Sequence, residues 1–164
     1  MNGDPRLYEI LKELDIHFGY YEHPPGPTIE AALQYWKDID SGHCRNLFFR
    51  NHKGNQHYLV ISDYRYPVNI HDLEKRLKQG KLTFGSPKRL QKYLGVEPGS
   101  VSLFGLINDL EKHVHIFLDE NLLKAEKLSF HPNINTASLV ITRADMIRFL
   151  DWTGNTHEFL RLYD

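Results

Sequence analysis

The residues with the most chemistry to offer lie in three short polar stretches. Arg45-Asn46 precede the apolar run Leu47-Phe48-Phe49, so a guanidinium and a carboxamide could both face the mouth of a cleft. His131-Pro132, followed by Asn135-Thr136, falls between two strand candidates. Gly99-Ser100-Val101-Ser102 could turn backbone N–H groups toward an oxyanion. Composition alone favours strand-end loops of turn-forming residues for the first two, and lone Gly-Ser turns are common.

Other reactive residue types contribute less. Among the ten histidines, His113 and His115 are spaced to share one face of a strand, and His52 and His57 flank a hairpin loop. Zinc needs three or four ligands, usually tied together by paired CxxC or HExxH spacings, and neither occurs in this chain. No metal is expected. His43-Cys44 could suggest a thiol nucleophile beside a base, yet neighbours on a strand point to opposite faces, so Cys44 reads as buried filler. G-x-S-x-G, P-loop and dinucleotide fingerprints do not occur.

Charge points to a different kind of feature. Lys75, Arg76, Lys78, Lys81, Lys88, Arg89 and Lys92 lie in a span without a single acidic residue, while the 164-residue chain as a whole carries a formal charge of −1. Such a molecule could orient itself on a phosphate backbone, although two ordinary solvated helix faces describe the same residues. Near-neutrality excludes a sequence-blind polyanion binder that works by bulk charge, and a DNA-binding regulator is not expected without a recognition helix. One cysteine excludes an intramolecular disulfide and suits a reducing compartment. No run approaches the ~20 apolar residues of a membrane span, and Met1-Asn2-Gly3-Asp4-Pro5 lacks the layout of a signal peptide. The expectation is a cytoplasmic protein with no membrane partner.

The elements that position these residues follow from local signals. Asp4-Pro5 opens a helix whose Leu7, Ile10, Leu11 and Leu14 form one stripe. His23-Pro24-Pro25-Gly26-Pro27 interrupts regular structure, and Thr28 can cap a helix over about 29–39. Segments 45–50 and 56–62 read as an antiparallel hairpin around Asn51-His52-Lys53-Gly54-Asn55. Helices are expected over 69–79 with Gly80 behind, from Ser86-Pro87 to Gly95, and from Arg143 to about Asp151 under a Thr142 cap. Segments 101–104, 114–118 and 138–141 are strand candidates. The reading is α+β: a single domain over 1–164, with a central mixed or antiparallel sheet flanked by helices.

Taken in order, these pieces resemble the YbaK-type aminoacyl-tRNA deacylases, relatives of the editing domain inserted in bacterial prolyl-tRNA synthetase. The likeness is greatest to the free-standing alanyl-tRNA(Pro) deacylase branch. Gly42-His43-Cys44-Arg45-Asn46-Leu47-Phe48-Phe49 resembles the family's HCKNLFL strand, and His23-Pro24-Pro25 with Thr28 and Glu30 precedes it in register. Leu94-Gly95-Val96-Glu97-Pro98-Gly99-Ser100-Val101 with Leu106-Ile107-Asn108-Asp109 resembles LGVEPGSV…LIND. His131-Pro132 with Asn135-Thr136-Ala137 is similar to HPL-NTA. Three positions depart from the pattern: Arg45 stands where lysine is usual, Leu103 where a GxxxP loop carries proline, and Gly154-Asn155 where Gly-His is frequent.

The resemblance implies hydrolysis of the ester between a wrong amino acid and the terminal adenosine of tRNA(Pro), with alanine as the acyl group and no cofactor. Cysteine or serine esters, or a non-catalytic tRNA- or synthetase-binding module of the same fold, are the alternatives. It also implies roles: Arg45, Asn46, Gly99, Ser100 and His131 at the reacting ester, and Thr28, Phe48, Val101, Ser102, Asn135 and Thr136 around the substrate. The basic residues from Lys75 to Lys92 would touch the acceptor stem, and prolyl-tRNA synthetase is a possible partner.

Overall fold

The computed structural model describes residues 1–25, 29–37 and 39–163, for 29–31 the backbone alone. Thr28 therefore lies outside the described residues. Helix α1 (Pro5–Glu13) begins where Asp4 accepts from the Arg6 amide, with Leu7 and Leu11 turned fully inward. Strand β1 (Gly19–Glu22) and helix α2 (Ile29–Trp36) follow, then the hairpin β2 (Cys44–Arg50) and β3 (His57–Asp63). Helix α3 (Ile70–Leu77), the two-residue β4 (Thr83–Phe84) and helix α4 (Pro87–Leu94) come next. A 3-10 helix (Leu103–Asn108), β5 (His115–Asp119), β6 (Lys127–Phe130), β7 (Ala137–Thr142), α5 (Arg143–Thr153) and β8 (His157–Leu160) complete the chain.

Two sheets form. The larger has the order β4-β2-β3-β5-β8 and is mixed: β2 is antiparallel to β3 and β4, while β3, β5 and β8 run parallel. The smaller, β1-β7-β6, is antiparallel, and a bridge between Gly42 and Leu128 links the two. The expected central mixed sheet is thus the larger one, with a second sheet packed against it.

Strand alternation divides the core. Phe48, Leu59, Ile61, Ile116 and Leu118 face the main core, shared with α1, α4, α5, the 3-10 helix and the small sheet. Phe49, Tyr58, Val60 and Phe117 face the opposite side, where Leu73 and Leu77 of α3 and Leu162 cover them. Because side chains alternate with period two, β3 is buried along its whole length.

Most local signals behave as their chemistry dictates. Ser86 and Thr142 each accept a hydrogen bond from the amide three residues on, and Gly95 and Gly154 end their helices in the left-handed region. The helix from Asn69 stops at Lys78, which itself takes the left-handed turn, before Gly80 is reached. The expected strand over 101–104 is absent: Leu103 opens the 3-10 helix, because Ser102 Oγ accepts from the Phe104 amide and Asn46 takes the Leu103 amide, so neither is left for a ladder.

Candidate functional site

The loop 99–102 is the hub of the site. Glu97-Pro98-Gly99 makes a tight turn, closed by the Ser100 amide donating to the Glu97 carbonyl at 3.0 Å. Gly99 adopts φ +89°, a left-handed conformation that a side chain would strain, and a Cβ there would lie 3.6 Å from Asn135 Nδ2. Ser102 is fully buried; its Oγ donates to the His131 carbonyl at 2.6 Å and accepts from the Phe104 amide at 3.1 Å. The Leu103 amide donates to Asn46 Oδ1 at 3.0 Å. One loop therefore ties β2, through Asn46, to the segment 131–136 that joins β6 and β7.

These bonds decide which donors remain. With Oδ1 held by Leu103, Asn46 must present Nδ2 on its other side, and Nδ2 has no hydrogen-bond partner among the described residues. The amides of Gly99, Val101 and Ser102 likewise donate to no acceptor among the described residues, whereas Ser100 spends its amide within the turn. The exposed Gly99 and the half-buried Val101 thus leave two main-chain donors, beside the Asn46 carboxamide, for an incoming oxygen, whereas the amide of the fully buried Ser102 is out of reach.

His131 supplies an acceptor. Its Nδ1 lies 2.9 Å from the Ala137 carbonyl, which can only accept, so Nδ1 carries the proton and Nε2 a lone pair. Burial pushes the His131 pKa down, the Ala137 contact opposes this, and nearby His23 adds to the lowering. The imidazole is therefore held neutral.

His23, quoted above only as part of a motif, turns out to support this arrangement. Its Nδ1 faces the Pro24 carbonyl at 3.0 Å and its Nε2 accepts from Ser138 Oγ at 2.8 Å. Its ring stacks on Tyr35 of α2 at 4.2 Å and lies 5.8 Å from the His131 ring. His43 repeats the device: Nδ1 lies 2.9 Å from Ser129 Oγ and the ring stacks on Trp36 at 4.4 Å. Two imidazoles anchored to serines of the small sheet thus carry the C-terminal end of α2. Pairs 115 and 86 positions apart leave no local signal in a sequence.

Several expected residues lie elsewhere. Arg45 sits on the opposite face of β2 from Asn46, pairing across strands with Ser62 and donating to the Tyr64 carbonyl at 3.3 Å. The alternation of side chains forces this separation, so Arg45 does not join the group around Ser102. Phe48 shares the Asn46 face but is 3% exposed and stacks on His57, a core role that leaves no surface for substrate. Ser102, expected beside the substrate, is fully buried and positions the loop through its side chain, with no surface left for a ligand. Val101, Asn135 and Thr136 are half-buried around the loop, and the Thr136 carbonyl accepts from the His23 amide at 3.0 Å.

The basic span is divided as well. α3, with Lys75, Arg76 and Lys78, covers one face of the large sheet, and α4, with Lys88, Arg89 and Lys92, covers the other. Arg76 is engaged with Asp72 at 2.9 Å and with the Arg161 carbonyl at 2.8 Å. Lys81 lies exposed between α3 and β4. His57 and His113 meet at 2.8 Å, while His115 turns to Thr156 and Glu158, so the histidine spacings do not converge on one point. Burial drives the Cys44 thiol pKa far up, which suits filler and not a nucleophile.

Comparison with known proteins bears on the family and the fold. A family profile described as aminoacyl-tRNA editing domain matches residues 23–149. The chain is 37% identical over 164 residues to the prolyl-tRNA editing protein ProX of Acetoanaerobium sticklandii, covering 99% of each. It is 32% identical over 161 residues to prolyl-tRNA synthetase associated domain-containing protein 1 of Xenopus laevis, covering 94% of this chain and 95% of that one. A crystal structure of a candidate trans-editing enzyme for prolyl-tRNA synthetase superposes with a TM-score of 0.69 at 19% identity, covering 97% of this chain and 98% of that one, which supports the α+β fold. With most of its length matched by the profile and its whole length by a relative, the chain belongs to the aminoacyl-tRNA editing domain family.

Proposed function

We propose that this chain is a trans-editing hydrolase that cleaves the ester of mischarged aminoacyl-tRNA(Pro), with Ala-tRNA(Pro) as its substrate. The observation that carries the reading is that loop 99–102, with the amides of Gly99 and Val101 unclaimed, is tied by hydrogen bonds both to Asn46, whose Nδ2 is left without a partner among the described residues, and to the main chain of His131, whose imidazole is held neutral. Ester hydrolysis needs this combination. Water attacks the acyl carbon, negative charge gathers on the former carbonyl oxygen, and fixed donors stabilise it without reorganising. The amides of Gly99 and Val101 serve that oxygen, while the Nε2 lone pair of His131 accepts a hydrogen bond from the attacking water. The C–O bond to the terminal ribose then breaks; the ribose oxygen leaves with a proton, and the free amino acid departs. Asn46 Nδ2 orients the aminoacyl end, and Asn135 and Thr136 border it. The reaction needs neither a covalent nucleophile nor a cofactor. The whole chain serves as one editing domain for the acceptor end of tRNA(Pro), with prolyl-tRNA synthetase as the source of the mischarged substrate.

The test is a deacylation time course with Ala-, Pro-, Cys- and Ser-tRNA(Pro). The expected result is rapid loss of alanine with proline spared. Faster loss of cysteine or serine reassigns the acyl group, and binding of tRNA without cleavage of any ester overturns the hydrolase reading.

A further inference from the structure

Two stretches of the chain carry no carboxylate, residues 41–62 and 75–96, and the fold brings one end of each together. Arg89, in the first turn of α4, donates through Nη1 to the Gly54 carbonyl and to His57 Nε2, both at 2.9 Å. A Cβ on Gly54 would meet Arg89 Nη2 at 2.8 Å, and the φ of +72° there is the left-handed conformation that favours glycine. Arg50, at the end of β2, folds over the same loop and donates to the carbonyls of Asn51 at 3.1 Å and His52 at 3.2 Å. Lys53 on the loop and Lys88 and Lys92 on α4 are exposed.

Five cations therefore share one corner of the molecule, and among the described residues none of them pairs with a carboxylate. Their field is felt beneath: burial first, then His113, Arg89, Lys92 and Arg50, lower the pKa of the buried His57 to about 4. The α3 side differs, since Arg76 there is engaged with Asp72 and the chain's C-terminal segment.

We infer that the β2–β3 hairpin loop and the exposed side of α4, through Arg50, Lys53, Lys88, Arg89 and Lys92, form the docking surface for the phosphates of the RNA substrate, and that α3 lies outside it. The inference rests on the editing reading above and adds where the RNA runs. Strand β2 sets the scale: Asn46 at the reacting ester and Arg50 at the basic corner are four residues apart, about 13 Å at ~3.3 Å per residue. A stacked strand carries one phosphate per ~3.4 Å of rise, so about four charges span that distance, matched by the cations at its far end. A row of evenly spaced phosphates suits a surface of cations and neutral polar groups such as His52, Asn55 and Gln91 better than an acidic protein segment does, because the latter would leave apolar side chains without a partner here.

The test compares a Lys53→Glu/Lys88→Glu/Lys92→Glu triple variant with a Lys75→Glu/Lys78→Glu double variant, using alanylated tRNA(Pro) across a salt series. The triple variant should raise KM at least tenfold with kcat changed far less, and should flatten the slope of log K against log salt by about two to three. The double variant should stay within twofold of the wild type. A triple variant with wild-type KM and salt slope, or equal losses from the α3 double variant, overturns the inference. So does unchanged tRNA binding with lost binding of prolyl-tRNA synthetase, which would make the corner a protein interface. Wild-type hydrolysis of alanine esterified to the 3′ hydroxyl of adenosine tests the editing reading separately, since that ester is too small to reach the basic corner.

Discussion

The hydrogen bond from the Leu103 amide to Asn46 Oδ1, together with the contact proposed for Nδ2, gives the carboxamide two separable tasks, holding the loop with its oxygen and, on the proposed mechanism, orienting the aminoacyl end with its nitrogen. Asn46→Ala removes both. It leaves the amide of the fully buried Leu103 without an acceptor, which costs about 1–3 kcal/mol. At ~2–4 °C per kcal/mol for a chain of this size, Tm should fall by about 2–12 °C. Asn46→Asp keeps an acceptor for Leu103, and a charge-assisted one, so Tm should stay within about 2 °C of the wild type. The carboxylate nevertheless presents an acceptor and a negative charge where Nδ2 presented a donor, close to a carbonyl that becomes negative. Repulsion of the developing oxyanion and loss of the orienting contact should lower kcat by about 10²–10³, the scale of losing one oxyanion-hole donor. Thermal melts and single-turnover deacylation of Ala-tRNA(Pro) on both variants separate the two tasks. An Asn46→Asp enzyme as fast as the wild type would refute the assignment of Nδ2 to the substrate, and an Asn46→Ala protein with unchanged Tm would refute the anchoring of the loop.

Two further outcomes follow from the same geometry. Ser102→Ala breaks the bonds to the His131 carbonyl and from the Phe104 amide; Tm should drop by several degrees and kcat/KM should fall, whereas Ser102→Thr, which keeps the hydroxyl, should recover part of both in the same melts and time courses. Acid should destabilise the fold through His57: its pKa, about 4 when folded, lies below the ~6.5 of an unfolded histidine, so the stability from keeping it neutral is complete above pH ~6.5 and is lost as pH falls toward 4. The loss is bounded by about 3 kcal/mol, and denaturant midpoints for wild type and His57→Gln at pH 7 and 4.5 should converge as pH falls; parallel curves would remove His57 as the cause.

Much of the fold could be read from neighbours in the chain. Asp4-Pro5, Ser86-Pro87 and Thr142 cap their helices through amides two or three residues away, and the loop from Asn51 to Asn55 closes the hairpin with bonds of its own. What could not be read is set by contacts between distant residues. Asn46 meets Leu103, Ser102 meets His131, and His23 meets Ser138, and no spacing rule joins such pairs. The placement of Arg45 was within reach: the alternation that separates His43 from Cys44 separates Arg45 from Asn46 as well. The basic span looked continuous because charge density along a chain says nothing about which side of a sheet each helix covers, and β4 at the edge lies between the two halves.

Side-chain parity in β2 carries a constraint on how the gene can change. Asn46 shares the face of Phe48, and not that of Arg45, because it is an even-numbered step in an antiparallel pairing that runs from Cys44 opposite Asp63 to Arg50 opposite His57. With the pairing kept, inserting one codon ahead of it would bring the guanidinium of Arg45 to that place and push Phe48 across into the second core, while deleting one would bring Leu47 there. Length variation should therefore accumulate in the connecting turns, and a frame-preserving indel scan across 43–50 should show no tolerated position.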